Sequence, residues 1–290
     1  MPDPHELDPA AIRRAFDKAA SSYDQAAALH HEVSSRLLER LNLVRGEPKT
    51  IVDLGAGSGR GSGGLKSHYR KAQVIALDLS FEMLQAANRH RKLFRKFDRV
   101  CGDAESLPLR DRSVDWCISN LMLAWCDPPD SVFAEVQRIL KPQGLFSFTT
   151  FGPDTLIELR RAWESVEAGP HVHRFLDMHD LGDALLRSGF AEPVMDTERI
   201  TVTYSDSRQL MRELKNTGAT TATKGRNRSL ANRTKLVAVS KAYEMLLQQN
   251  RLPVTLEIVY GQAWLGVAAS RRGTSGETRI PLEKVRAALR

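Results

Sequence analysis

A chain of 290 residues, 42% hydrophobic and 27% charged, carries enough apolar material for a sizeable core, which excludes a disulfide- or metal-stapled miniature domain and a disordered polymer. Lys and Arg exceed Asp and Glu by 42 to 35; the net charge of +7 suits nucleic acid, an acidic partner protein or an anionic substrate, and otherwise describes a solvated basic surface. No run approaches the roughly 20 apolar residues of a membrane helix, and the early acids Asp3, Glu6 and Asp8 fit neither a secretory signal nor an acid-poor presequence, so a cytoplasmic protein is expected.

The first segment reads as helix. Ile12, Phe16, Ala20 and Tyr23 recur at helical spacing, and Val33, Leu37 and Leu41 continue the period until Gly46-Glu47-Pro48 breaks it. Thr50 to Leu54 is a short apolar strand running into glycines. Gln73 to Asp78 reads as a second strand, Phe81 to Arg89 as a helix, Asp98 to Gly102 as a weaker third strand, Val114 to Ser119 as a fourth, Pro129 to Leu140 as a helix and Leu145 to Phe151 as a fifth strand. Strands separated by helices predict an α/β fold with a parallel sheet covered on both faces. Asp154 to Glu167 and His179 to Ser188 read as helices, Ile200 to Tyr204 and Leu256 to Ala263 as strands, with helical stretches around Ser207–Leu214 and Thr234–Gln249 between those two. The expected organisation is an N-terminal helical lid over 1–45, one α/β domain over 46–268 with a helical insertion at about 206–250, and a polar, basic tail, poorly ordered, over 269–290. Cys101, Cys117 and Cys126 show no CxxC or His-paired spacing; two of them lie in apolar surroundings, where cysteine acts as a small hydrophobe.

The chemistry-bearing residues fall at successive strand ends. Asp53-Leu54-Gly55-Ala56-Gly57-Ser58-Gly59 closes the first strand, where small residues let backbone approach a ligand and the next helix offers its positive end. Such a turn alone also serves dinucleotides. Asp53, two residues before Gly55, can hold an ammonium group directly or through water. Asp78 closes the second strand, where a carboxylate accepts from both ribose hydroxyls. Asp103-Ala104 follows the third strand and would face an adenine amino group, with Met83 packing on the ring, and Asn120-Leu121 ends the fourth. Taken singly, these residues also read as a cap, a turn former or core packing. Their order places all of them beyond the carboxyl ends of parallel strands, at one crevice.

On these residues the chain resembles the seven-stranded class I methyltransferases over about residues 50–150: DLGAGSG, LDLS with Met83, GDAESLP and SNLMLAW match. The resemblance implies a Rossmann-like, mostly parallel seven-stranded sheet and S-adenosylmethionine as methyl donor. The cofactor-binding residues it implies are Asp53, Gly55, Ala56, Gly57, Gly59, Asp78, Leu79, Met83, Asp103, Ala104, Asn120 and Leu121. NAD binding becomes the distant alternative.

Over nearly its whole length the chain also resembles the malonyl-acyl-carrier-protein O-methyltransferases of biotin synthesis, through RRAFDKAASSYDQAAALH at Arg13–His30, FTTFGPDTLIELRRAW at Phe148–Trp163, PHVHRF at Pro170–Phe175, LKNTGA at Leu214–Ala219 and LPVTLEIVYGQAW at Leu252–Trp264. The N-terminal element of that family usually ends in Gln; here His30 stands in its place. The resemblance implies methylation of the free carboxylate of a malonyl thioester, carried by acyl carrier protein or coenzyme A, with Arg174 forking two donors onto that carboxylate. A carboxylate is already ionised at neutral pH and needs no general base. Tyr23 would close over methyl group and acceptor, and His171 and His173 would support Arg174 or Tyr23. These two histidines have only His179 and no Cys nearby, so no metal is expected. The acidic carrier calls for a basic docking surface. Arg226 and Arg228 in the insertion are preferred for it over the cluster Arg89-His90-Arg91-Lys92 with Arg95-Lys96. No nucleic-acid or membrane partner is expected. Two other readings stay open: an arginine hydroxylase serving as a respiratory complex I assembly factor, which shares the FG-DTL-ELR stretch, and a small-molecule methyltransferase of the quinone type.

Overall fold

The computed structural model describes residues 6–167, 169, 171–226, 233–247 and 249–266. Three helices come first: α1 (Pro9–Ala19), α2 (Tyr23–Ala26) and α3 (Ala28–Leu41). The α/β alternation follows as β1 (Thr50–Leu54), α4 (Arg60–His68), β2 (Gln73–Asp78), α5 (Phe81–Ala86), β3 (Asp98–Cys101), β4 (Val114–Asn120), α6 (Asp130–Ile139) and β5 (Leu140–Phe151). The chain continues through α7 (Ile157–Glu164), α8 (Met178–Arg187), β6 (Phe190–Tyr204), α9 (Ser207–Asn216), α10 (Arg233–Glu244) and β7 (Leu252–Leu265).

All seven strands form one sheet in the order β3-β2-β1-β4-β5-β7-β6. The first five run parallel, and β7 lies antiparallel between β5 and β6. The strand order reverses between β1 and β4, and that switch point opens a crevice at the strands' carboxyl ends. Both faces are covered, so β1 and β4 read as nearly continuous apolar runs. Val52, Leu54, Cys117, Phe133, Val136, Phe146, Phe148 and Leu185 fill the face beneath α6 and α8. Ile51, Leu65, Val74, Ala76, Trp116 and Ile118 fill the other, with Leu37 and Leu41 of α3. A third cluster joins the insertion to the sheet: Leu210 of α9 and Val239 and Tyr243 of α10 pack with Leu159, Tyr204, Leu252 and Val254. Among the described residues no helix is long and apolar enough to cross a membrane.

The periodicity of the first 41 residues suggests one continuing helical run, whereas the structure breaks it twice. The Ser22 hydroxyl donates back to the Ala19 carbonyl and across to that of Asn216, giving the backbone an alternative to the helical ladder. Ala27, fully buried, then leaves helical geometry before α3 begins. Strand β6 begins ten residues before the apolar stretch at Ile200, because an edge strand whose residues alternate between half-buried and exposed carries Glu, Asp and Thr as readily as Val. Its register shifts between Ala191 and Val194, around Glu192 and Pro193.

The insertion is fastened to the N-terminal segment. Leu7 bridges Thr223, the Asp8 N–H donates to the Ala222 carbonyl (2.8 Å), and the Lys224 N–H donates to that of Glu6 (2.7 Å). The proposed basic tail at 269–290 lies outside the described residues.

Candidate active site

The turn after β1 is built from glycines for two different reasons. Gly55 (φ +74°) faces the crevice, and a Cβ there would sit 2.3 Å from the Met122 side chain. Gly59 (φ +78°) faces away, where a Cβ would meet Ala87 at 2.6 Å and Phe97 at 3.0 Å. Gly59 therefore packs behind the loop and is absent from the walls of the cavities below, unlike Gly55 and Gly57. The loop's amides are already engaged. Gly55 and Ala56 donate to the Leu77 carbonyl, Gly57 donates to the Asp78 carboxylate at 2.7 Å, and Gly59 donates to the Ala56 carbonyl. A pyrophosphate cradle needs such N–H groups free; here four of them are committed within the protein, which argues against a dinucleotide.

Two carboxyls flank this loop, Asp53 buried and Asp78 half-buried. Asp53 accepts from the Ser62 hydroxyl at 2.5 Å, and burial pushes its carboxyl up to about 6, with repulsion from Asp78 adding to the rise. Asp78 accepts from the Ser80 and Gly57 amides, yet burial pushes it up to about 6 as well. Among the described residues neither carboxyl has a cationic partner, and Asp78 accepts from backbone amides alone.

Three cavities meet at this crevice. The first, about 860 Å³ counted to its open mouth, is lined by Gly55, Gly57, Asp78, Leu79, Asp103, Ala104, Asn120 and Leu121 among others. A smaller one behind the loop takes in Asp53, Ala56 and Arg60. The third, about 950 Å³ counted in the same way, is mostly apolar, with Leu29, Phe151, Leu159, Phe175, Tyr204 and Leu256 in its wall. Phe16 and Trp125, edge-to-face at 5.1 Å, and His30 belong to both the first and the third. Tyr23 stands where the first cavity meets the small one, its ring against Gly57 and its phenol raised well above the usual range by burial and by Asp78 and Asp24.

Several expected residues stand elsewhere. Met83 is fully buried beneath α1 with Ala19, Ala20, Phe16 and Tyr23, so it packs the lid against α5 and does not line the cavity. His173 is buried, accepts from the Ala222 amide at 2.9 Å and lies edge-on to Trp125. His171 stacks on Trp163 with ring centroids 4.0 Å apart. Both histidines line the third cavity, but these partners hold the insertion and α7, not Tyr23 or Arg174 as expected. Arg174 is exposed and lines neither large cavity, although its neighbours His173 and Phe175 line the third. Arg226 is not a free docking cation. It pairs with Asp8 at 3.1 Å, both side chains being only 19% exposed, and donates to the Thr223 carbonyl. Arg228 lies outside the described residues. Among the described residues no group of three or more His, Cys, Asp or Glu is placed to hold a metal.

Comparison with known proteins identifies the family. The chain is 46% identical over 280 residues, 94% of each chain, to the malonyl-[acyl-carrier protein] O-methyltransferase of Laribacter hongkongensis. It is 43% identical over 287 residues to the enzyme of that name from Halorhodospira halophila, covering 98% of this chain and 97% of that one. The chain belongs to this family. Residues 52–148 also match the methyltransferase-domain family. Among solved structures, the YcgJ protein of Bacillus subtilis superposes with a TM-score of 0.58 at 17% identity, over 80% of this chain and 98% of that one. Haemonchus contortus phosphoethanolamine N-methyltransferase 2, solved with S-adenosyl-L-methionine, superposes with a TM-score of 0.55 at 17% identity, over 86% and 57%. These two likenesses concern the fold.

In this member of the malonyl-[acyl-carrier protein] O-methyltransferase family, some site residues carry no local signal in the sequence. Trp125 and Phe16 form the wall between the two large cavities, and both read from the sequence as ordinary apolar positions. The Asp24 carboxylate of α2 accepts from His90 Nε2 at 2.9 Å, tying the lid to the residues after α5. No spacing rule links positions 66 residues apart.

Proposed function

We propose that this protein transfers the methyl group of S-adenosylmethionine to the free carboxylate of a malonyl thioester, borne by acyl carrier protein or coenzyme A, giving the methyl ester that starts pimeloyl synthesis for biotin. The observation that carries the reading is the junction of two cavities. An acid-lined one lies beyond the parallel strands, and an apolar one opens beside it across a wall of Phe16, His30 and Trp125.

The first cavity fits the donor by its chemistry. Adenosylmethionine presents an ammonium group, two ribose hydroxyls and an adenine amine, all hydrogen-bond donors, and Asp53, Asp78 and Asp103 offer acceptors in matching order along the strand ends. Asp53 and Asp78, both raised to about 6, would regain ordinary acidity on meeting such partners. Leu79, Ala104 and Leu121 supply apolar wall, Gly55 and Gly57 leave room for the ligand, and Asn120 is held by Thr149 and the His30 carbonyl. When bound, the sulfonium supplies an electrophilic methyl group.

The protein's own residues then position and desolvate. Phe16 and Trp125 exclude water at the junction, with Tyr23 closing the acid-lined side, so that a carboxylate and a cation there gain most from mutual attraction. Reaction in line needs orientation more than acid–base help. Arg174, exposed between the lining residues His173 and Phe175, is the cation this reading gives to the malonyl carboxylate as the acceptor enters. The test is Arg174→Ala: ester formation should fall by ~100-fold or more, as for loss of a charge-assisted pair, with S-adenosylhomocysteine affinity unchanged. Full activity in the variant would remove Arg174 from the reaction, and lost cofactor affinity would place it at the donor.

A further inference from the structure

His30 is the one described side chain that lines all three cavities: the acid-lined one, the apolar one and the small chamber containing Asp53. Its setting is unusually well defined. The ring stands edge-on to Tyr23 at 5.6 Å and to Phe151 at 6.4 Å, so aromatic faces fix it from two directions. Its main chain is fixed too, since the His30 carbonyl accepts from Asn120 Nδ2 at 3.1 Å and Asn120 Oδ1 accepts from the Thr149 hydroxyl at 2.9 Å. Yet its Nδ1 is buried and has no hydrogen-bond partner. A buried polar atom left unpaired costs about 1–3 kcal/mol, and the ring's place in the walls of three cavities puts it beside space that a bound molecule would fill.

The chemistry of the junction restricts that partner. Burial, with a smaller contribution from neighbouring His31, pushes His30 down to about 4, so near neutral pH the ring is uncharged and has one N–H to give. A malonyl group offers only acceptors, its carboxylate and its thioester carbonyl. An uncharged donor orients a carboxylate without cancelling the charge that makes it nucleophilic, and adds no cation beside a sulfonium.

We propose that His30 is an acceptor-binding residue that donates a hydrogen bond from its imidazole to an oxygen of the malonyl group, holding it where the two large cavities join. This rests on the malonyl reading above. It gives His30 a role that Phe16, which also lines both large cavities, cannot fill, because a phenyl ring has no donor.

The experiment compares wild-type protein with His30→Phe, which keeps a flat ring and removes the donor, and His30→Gln, which restores a donor. Steady-state kinetics with a malonyl thioester are paired with calorimetric binding of S-adenosylhomocysteine, and of the malonyl thioester to the protein saturated with it. Expected for His30→Phe is a ~10- to 100-fold loss in kcat/KM and in malonyl affinity, with homocysteine-adduct affinity within about twofold. His30→Gln should recover most of both. Should His30→Phe misfold, His30→Leu beside His30→Gln carries the same comparison. Unchanged malonyl affinity in the Phe variant, an equal loss in Phe and Gln variants, or a matching loss of S-adenosylhomocysteine affinity each overturns the proposal. Absence of ester with wild-type protein would instead end the malonyl reading itself, so the two failures are distinguishable.

Discussion

Replacing Asp78 by Asn should make the ligand-free protein more stable near neutral pH while weakening its hold on the donor. The Asp78 carboxyl is raised from 3.8 to about 6, chiefly by burial, so its ionised form carries a penalty of about 3 kcal/mol. The sign follows from linkage. Between those two values the folded protein binds more protons than the unfolded chain, so this group's contribution falls as pH rises, and the whole penalty applies above about pH 6. Asn removes the charge but keeps one acceptor where the carboxylate has two, for the Gly57 and Ser80 amides. Leaving one of those donors unpaired costs about 1–2 kcal/mol, which leaves a net gain of roughly 1–2 kcal/mol. For a chain of this size that is about 2–3 °C in Tm. Thermal unfolding without ligand should show this gain at about pH 7.5 and none near pH 4, where the wild-type carboxyl is protonated. Calorimetry with S-adenosylhomocysteine should show affinity lowered by ~10- to 150-fold, the worth of charge-assisted bonds to two hydroxyls. An Asp78→Asn protein less stable than wild type at pH 7.5, with unchanged affinity, would refute the reasoning and make Asp78 a purely structural acceptor.

Three further outcomes are expected. Gly55→Ala combines a left-handed φ with a Cβ 2.3 Å from Met122; it should cost about 1–3 kcal/mol of stability and lower donor affinity at least tenfold, measured by thermal unfolding and calorimetry. Arg226→Glu places like charges at the mostly covered contact with Asp8; amide exchange over residues 6–20 should accelerate, and the charge-swapped pair with Asp8→Arg should restore much of the protection. Phe133→Ala empties a core position between Phe146 and Phe148; chemical denaturation should show a loss of about 3–5 kcal/mol, with donor affinity of the folded fraction unchanged.

The parallel half of the sheet was legible because burial on both faces leaves continuous apolar runs: Gln73 to Asp78 is β2 to the residue, and Thr50 to Leu54 is β1. Strand β6 was legible only at Ile200–Tyr204, since an edge strand half open to water tolerates Glu192, Asp196 and Glu198. The acids at the strand ends were legible because strand order places them at one crevice, and the structure brings Asp78, Asp103 and Asn120 to one wall. Met83 and Gly59 follow the same motif in sequence, but α5 turns Met83 under α1 and the loop turns Gly59 toward Ala87. Spacing along a chain does not report which way a side chain faces. The insertion's charges misled for a related reason: Arg226 reads as a docking residue until Asp8, 218 residues away, is found against it.

We propose above that a malonyl carboxylate is methylated where the acid-lined and apolar cavities join. The most direct measurement is mass spectrometry of the acyl group on malonyl-carrier protein after incubation with S-adenosylmethionine, beside the acetyl form, which lacks the carboxylate. The malonyl form should gain one methyl group, removable by mild base, and the acetyl form none. An unchanged malonyl group on protein shown to bind the donor, or equal methylation of both forms, would contradict it.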